Sequence, residues 1–124
     1  MKVAIVIARL LLGLIFTVFG LNIFLRFIPM PPPPPGPAAD FMKALFVSHY
    51  LYFIGLLQVV GGLLLLVGRF VPLGLVLLAP VIVNILCFHA FLDPAGLPIA
   101  IIVAVLGSFL AWSNRAHFAG VFAV

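Results

Sequence analysis

Chemistry in this sequence has to come from a short set of polar side chains set among apolar runs: Asn22, Arg26, His49, Gln58, Asn84, His89 and Asp93. They contain no nucleophile–base–acid set, no phosphate loop and no paired carboxylates, so no catalytic residue is assigned. The single cysteine, Cys87, excludes an internal disulfide, and the lack of a Cys-x-x-Cys pair excludes a thiol–disulfide relay within the chain. His49 and His89 fall towards the same side, which would suit haem or a metal. Two histidines on different helices make a weak signal, however, and neither is expected. What remains is binding, and Asn22, Gln58, Asn84, His89 and Asp93 are the candidate ligand-binding residues.

The elements that must position them follow from composition. Of 124 residues, 67% are hydrophobic and 6% charged, against about 45–50% apolar and 25% charged in a soluble domain. So few charges cannot cover a water-facing surface. A helix crosses a bilayer core with about 20 residues, and apolar stretches fall at about 3–28, 41–67, 73–91 and 99–112. The expected fold is all-α: a transmembrane four-helix bundle forming one domain over residues 1–124. The first stretch is too long for a signal-peptide core, and no small-residue cleavage site follows it, so it is read as retained. The proline-rich loop 29–37 cannot be helical and should be a stiff polyproline rod. Asp40 is the expected N-cap of the second span.

The net charge of +4 does not point to nucleic acid, because the basic residues are scattered at the ends of apolar runs. They do set an orientation. Lys2, Arg9, Arg69 and Arg115 lie towards one side with no acidic residue. Arg26 and Lys43 lie towards the other, with Asp40 and Asp93. The first side should be cytoplasmic, which puts both termini inside. Arg9 lies deeper in its span than the other basic residues, and nothing in the sequence accounts for it.

With that orientation every candidate except Gln58 falls in the outward half, and Gln58 lies near the midplane. An outward-opening polar pocket lined by the first three spans is the expected site. Gly55, Gln58 and Gly62 fall within about 60° of one another on a helix, so this face should pack against another helix. Asn22 and Arg26 share a face, as would His89 and Asp93 if the helix continues that far. Asn84 and His89 point roughly 140° apart, and Pro80 could distort the helix between them. Each residue also has a plainer reading. Gln58 and Asn84 would be hydrogen-bonding glue between helices, His49 an interfacial anchor, and His89 with Asp93 a local loop clamp.

Several segments carry a resemblance. Ala8-Arg9-Leu10-Leu11-Leu12-Gly13, with Phe19-Gly20-Leu21-Asn22, resembles the opening helix of the DoxX family. Ile28-Pro29-Met30-Pro31-Pro32-Pro33, Gly61-Gly62-Leu63-Leu64, Gly68-Arg69-Phe70-Val71-Pro72 and Phe88-His89-Ala90-Phe91-Leu92-Asp93-Pro94-Ala95-Gly96 extend it over nearly the whole chain. The resemblance implies a bacterial four-helix protein of the cytoplasmic membrane. Its relatives are linked to a thiosulfate:quinone oxidoreductase subunit and to membrane oxidoreductase assemblies. Many relatives carry glutamate where this chain has Gln58, and an amide cannot release a proton. The expected function is therefore a redox-associated subunit, not an enzyme on its own. It would hold a quinone or another lipid and work with the bilayer, an oxidoreductase partner and a homo-oligomer as its surroundings. Its rivals are a scaffold or chaperone-like subunit and a small-solute or lipid carrier.

Overall fold

The computed structural model describes residues 1–124, leaving aside the side chain of Phe122. Five α-helices follow one another: α1 (Lys2–Leu25), α2 (Pro37–Val47), α3 (Tyr50–Val67), α4 (Val71–Phe91) and α5 (Leu97–Ser113). Short 3₁₀ segments cover Pro94–Gly96 and Arg115–Phe122, and no strand occurs among the described residues. Four helical stretches are long and apolar enough to span a membrane: Lys2–Leu25, Tyr50–Val67, Val71–Phe91 and Pro94–Ser113. The fold is the expected all-α membrane bundle.

The spanning helices pack in a ring in the order α1, α3, α4, α5, with α5 returning to α1. One end of the bundle carries both chain termini and the α3–α4 turn. The other carries the proline loop, α2 and the α4–α5 loop. Leu12, Phe16, Leu65, Leu78 and Leu110 fill the centre and are essentially inaccessible. Many other large apolar side chains, such as Leu14, Val76, Ile102 and Val105, point outwards, as lipid-facing residues must.

The tightest contact is a glycine seam between α1 and α3. A Cβ on Gly62 would lie 2.6 Å from Thr17 Oγ1, 2.7 Å from the Thr17 amide nitrogen and 2.9 Å from the Gly13 carbonyl oxygen. One on Gly20 would lie 2.9 Å from the Cβ of Gln58, and one on Gly55 would meet Phe24 and Ile23 of α1. The face of Gly55, Gln58 and Gly62 is thus buried against α1, backbone nearly on backbone, as small residues allow in membranes.

Two boundaries differ from the sequence reading. The first span stops at Leu25, where Arg26 takes a left-handed conformation (φ 51°) and ends the helix. The second stretch is two helices. Pro37 occupies the first turn of α2 and Gly36 is its N-cap, so Asp40 sits inside the helix rather than capping it. The chain then breaks at His49 (φ 64°) before α3 begins. Ser48 supports the break: its hydroxyl donates to the Leu45 carbonyl and accepts from the Tyr50 amide, local bonds that compete with the helical ladder.

Candidate functional site

The five candidate residues are held in different ways. Asn22 is buried at the end of α1. Its Nδ2 donates to the Ile28 carbonyl at 3.1 Å, and its Oδ1 accepts from the Ile28 amide at 2.7 Å. Both functions of the amide therefore satisfy backbone groups that the end of a helix leaves open. His89 acts similarly at the end of α4. Its Nδ1 lies 3.0 Å from the Asp93 carbonyl oxygen. A carbonyl can only accept, so the Nδ1 proton is the one donated. The His89 ring also fills the space beside Gly96, where a Cβ would collide with it. Asp93 contributes its main chain to this clamp, and no ion pair or hydrogen bond of its carboxylate is recorded among the described residues.

Gln58 is 8% exposed in the α1–α3 seam, as buried as Asn22. About one turn along the seam is Thr17, also 8% exposed, whose Oγ1 is buried without a hydrogen-bond partner among the described residues. The sequence reading omitted Thr17. Its significance comes from Gly62 across the seam, and a lone hydroxyl in an apolar run gives no warning of that. Asn84 faces away from the bundle. Its Nδ2 donates 2.7 Å back to the Pro80 carbonyl, and the residue is exposed. Of the five, His89 and Asp93 are the pair that a hydrogen bond joins among the described residues.

Around the loop end, aromatic and cationic groups tie α2 to the bundle. The Arg26 guanidinium sits 4.9 Å from the centre of the Phe46 ring. Phe41 of α2 meets Phe88 of α4 at 5.7 Å. Phe24, Tyr52 and His49 form a stack with spacings of 5.4 and 5.8 Å. His49 is thus an exposed ring at the end of an aromatic stack. At the opposite end Arg9 finds its place: its guanidinium covers Gly68, the left-handed residue (φ 77°) that caps α3. The final carbonyls of a helix are unsatisfied and carry partial negative charge, so a cation belongs there.

A shallow concavity lies elsewhere. It is an open groove of about 560 Å³ along α5, with Ala104 and Ser108 among its lining, flanked by Ile101, Phe109, Trp112 and Leu86 of α4. Ser108 is the polar side chain in it, apart from the indole of Trp112. Beside Trp112, the Arg115 guanidinium stacks on the indole at 4.4 Å and donates to the Trp112 carbonyl.

The profile of the DoxX family matches residues 4–92. The chain belongs to the DoxX family. It is also 36% identical over 76 residues to the uncharacterized protein YwoB of Bacillus subtilis (strain 168), an overlap of 60% of this chain and 49% of that protein. The chain therefore spans about half the length of the curated relative it matches. No solved structure matches. The DoxX match takes in α1 to α4, with the glycine seam, Asn22, Gln58, Asn84 and His89. It ends before Asp93 and α5, short of the nearly whole-chain coverage read from the motifs. The groove along α5 accordingly lies mostly outside the matched residues of this DoxX protein.

Proposed function

We propose that this DoxX protein is an accessory subunit without a catalytic centre of its own, which holds the apolar chain of a quinone or another lipid along α5. The observation that carries the reading is the groove: apolar, shallow and open towards lipid, a surface on which a lipid chain can lie. From Ile101 to Trp112 it follows α5 for about 16 Å, and it ends beside the cation of Arg115. A polar headgroup would rest there, in the interfacial layer where tryptophan and arginine are favoured. Electron transfer would belong to an oxidoreductase partner that reaches the same ligand.

Placement in a bacterial cytoplasmic membrane with both termini inside is part of the same reading. Its support is the concentration of Lys2, Arg9, Arg69 and Arg115 at the end of the bundle that carries the termini. A scaffold that holds no ligand is the second reading. It is favoured by the engagement of Asn22, His89 and Asn84 with backbone groups.

The test is extraction of lipids from the purified full chain, followed by mass spectrometry, in the wild type and in Ala104→Phe, which fills the groove lining. A lipid or quinone enriched over the bulk membrane, and lost in Ala104→Phe, supports the reading. A stoichiometric quinone supports its redox part. Extracts identical to bulk lipid in both proteins would overturn it in favour of the scaffold.

A further inference from the structure

The outward side of α4 carries an amide. At 100° per residue, Leu73, Val76, Pro80, Asn84, Cys87 and Phe91 lie within an arc of about 80°, and all six are exposed. Asn84 stands about 20 Å along α4 from Val71, inside a hydrocarbon core about 30 Å thick. Its bond to the Pro80 carbonyl uses one N–H. The second N–H and Oδ1 have no recorded partner among the described residues. Lipid tails cannot supply one, and an unsatisfied amide in hydrocarbon is costly. The helices packed on α4 give Asn84 no hydrogen bond among the described residues. Leu78 meets Gly61 and Ile82 meets Gly107 more than 100° around the helix from it, Gly74 packs on α3 about 80° away, and Phe88 meets Phe41 of α2 about 40° away and one turn further along.

An amide is donor and acceptor at once, so what Asn84 lacks is what a second Asn84 offers. A two-fold axis along the membrane normal places the same face of two copies together. The N–H of each asparagine then meets the Oδ1 of the other. The rest of the arc matches itself equally well, apolar against apolar, with the short side chains of Pro80 and Cys87 on either side of Asn84 to let the helices approach. A single asparagine in an apolar seam also fixes register between paired helices.

We propose that α4 is a self-association face, on which two copies of this chain pair in parallel about an axis at Asn84. Asn84 hydrogen-bonds to its counterpart, and the two Cys87 residues lie about one turn further along, beside the axis. The occupant is a second copy, and the groove along α5 stays free, because Leu86 points roughly 160° away from Asn84.

The single cysteine makes the test direct. The full chain is reconstituted in phospholipid vesicles and oxidised with copper phenanthroline. Any disulfide dimer on a non-reducing gel is then a Cys87–Cys87 dimer. Cross-linked dimer is expected for the wild type and for Cys87→Ser/Phe91→Cys, and none for Cys87→Ser/Ser108→Cys. Dilution of fluorescently labelled chains into excess lipid measures the dimerisation constant. Asn84→Leu should weaken it roughly three- to thirtyfold, the span of measured interhelical polar contacts in membranes. Cys87→Trp, which adds bulk to the face and leaves Asn84 alone, should weaken it as well. Extracted lipid should be unchanged in both variants, so this result stands or falls apart from the groove. A monomer at all lipid ratios would overturn the proposal, as would equal cross-linking from Ser108→Cys or a constant indifferent to both substitutions.

Discussion

Gly62→Ala adds a single methyl group at the closest approach of α1 and α3, and two effects of opposite sign then compete. Helix propensity favours alanine over glycine by about 1 kcal/mol. Against it, the new Cβ would stand 2.7 Å from the Thr17 nitrogen and 2.9 Å from the Gly13 oxygen, whereas ordinary contact begins at 3.4 Å. These are main-chain atoms and cannot rotate away, so the two helices must part by at least the difference. A gap of about 0.5–1 Å forfeits a quarter to a half of each dispersion contact along the seam. Overpacking of this kind costs about 1–3 kcal/mol, and rigid neighbours put it at the upper end. The net expectation is a loss of about 2 kcal/mol. Gly107→Ala is the control. It too lies within a helix, but its Cβ would meet the far end of Ile82 at 2.9 Å and little else. A rotamer change relieves that, so the substitution should be neutral or stabilising by up to about 1 kcal/mol. Thermal melting of the full chain in one detergent, followed by circular dichroism, reads both. The reasoning fails if Gly62→Ala melts at or above the wild type, or if Gly107→Ala falls as far.

Other substitutions probe the ends of the helices. Gly68→Ala should destabilise by about 1–2 kcal/mol from its left-handed backbone alone, and further by displacing Arg9. In an Arg9→Ala background the second part should vanish and the first persist, which a double-mutant cycle of melting temperatures measures. Asn22→Ala should raise hydrogen exchange at the Ile28 amide sharply and cost about 1–3 kcal/mol, since it leaves two backbone groups unpaired. Gly96→Ala should loosen the α4–α5 loop by pushing out the His89 ring, and His89→Ala should suppress the steric part of that defect in the same melting assay. For orientation, Met30→Cys and Ala116→Cys, each in a Cys87→Ser background, should label from opposite sides with an impermeant thiol reagent. Both positions are exposed. Labelling of Ala116→Cys from outside intact cells would reverse the proposed topology.

The spans were legible in the sequence because lipid leaves a long apolar run no other solution. The seam face of α3 was legible from the spacing of Gly55, Gln58 and Gly62. The break at His49 was not. Neither glycine nor proline marks it, and the local signal is Ser48, whose hydroxyl serves equally well inside or outside a helix. Arg9 was opaque because its counterpart, Gly68, is remote in sequence and contributes a helix end rather than a charge. The polar residues gathered at the loop end invited a pocket. Asn22 and His89 lie there because α1 and α4 end there, where backbone groups run out of helical partners. Periodicity shows which residues share a face of α4, but not which face the neighbouring helices cover. The exposure of Asn84 therefore needed the packing of Gly61 on Leu78 and of Gly107 on Ile82.

The helices of the ring are unequal in length. α1 has 24 residues, about 36 Å, whereas the last span, Pro94–Ser113 with its leading 3₁₀ turn, has 20, close to the hydrocarbon thickness of about 30 Å. The longer helix can shorten its reach by tilting. Gly13, Gly20, Gly55 and Gly62 bind α1 to α3 too closely for it to tilt alone, so the pair must lean together. The last span already matches the hydrocarbon core and needs no such lean. A thicker bilayer would let the seam pair stand more upright, which makes membrane thickness itself a variable to which this bundle responds.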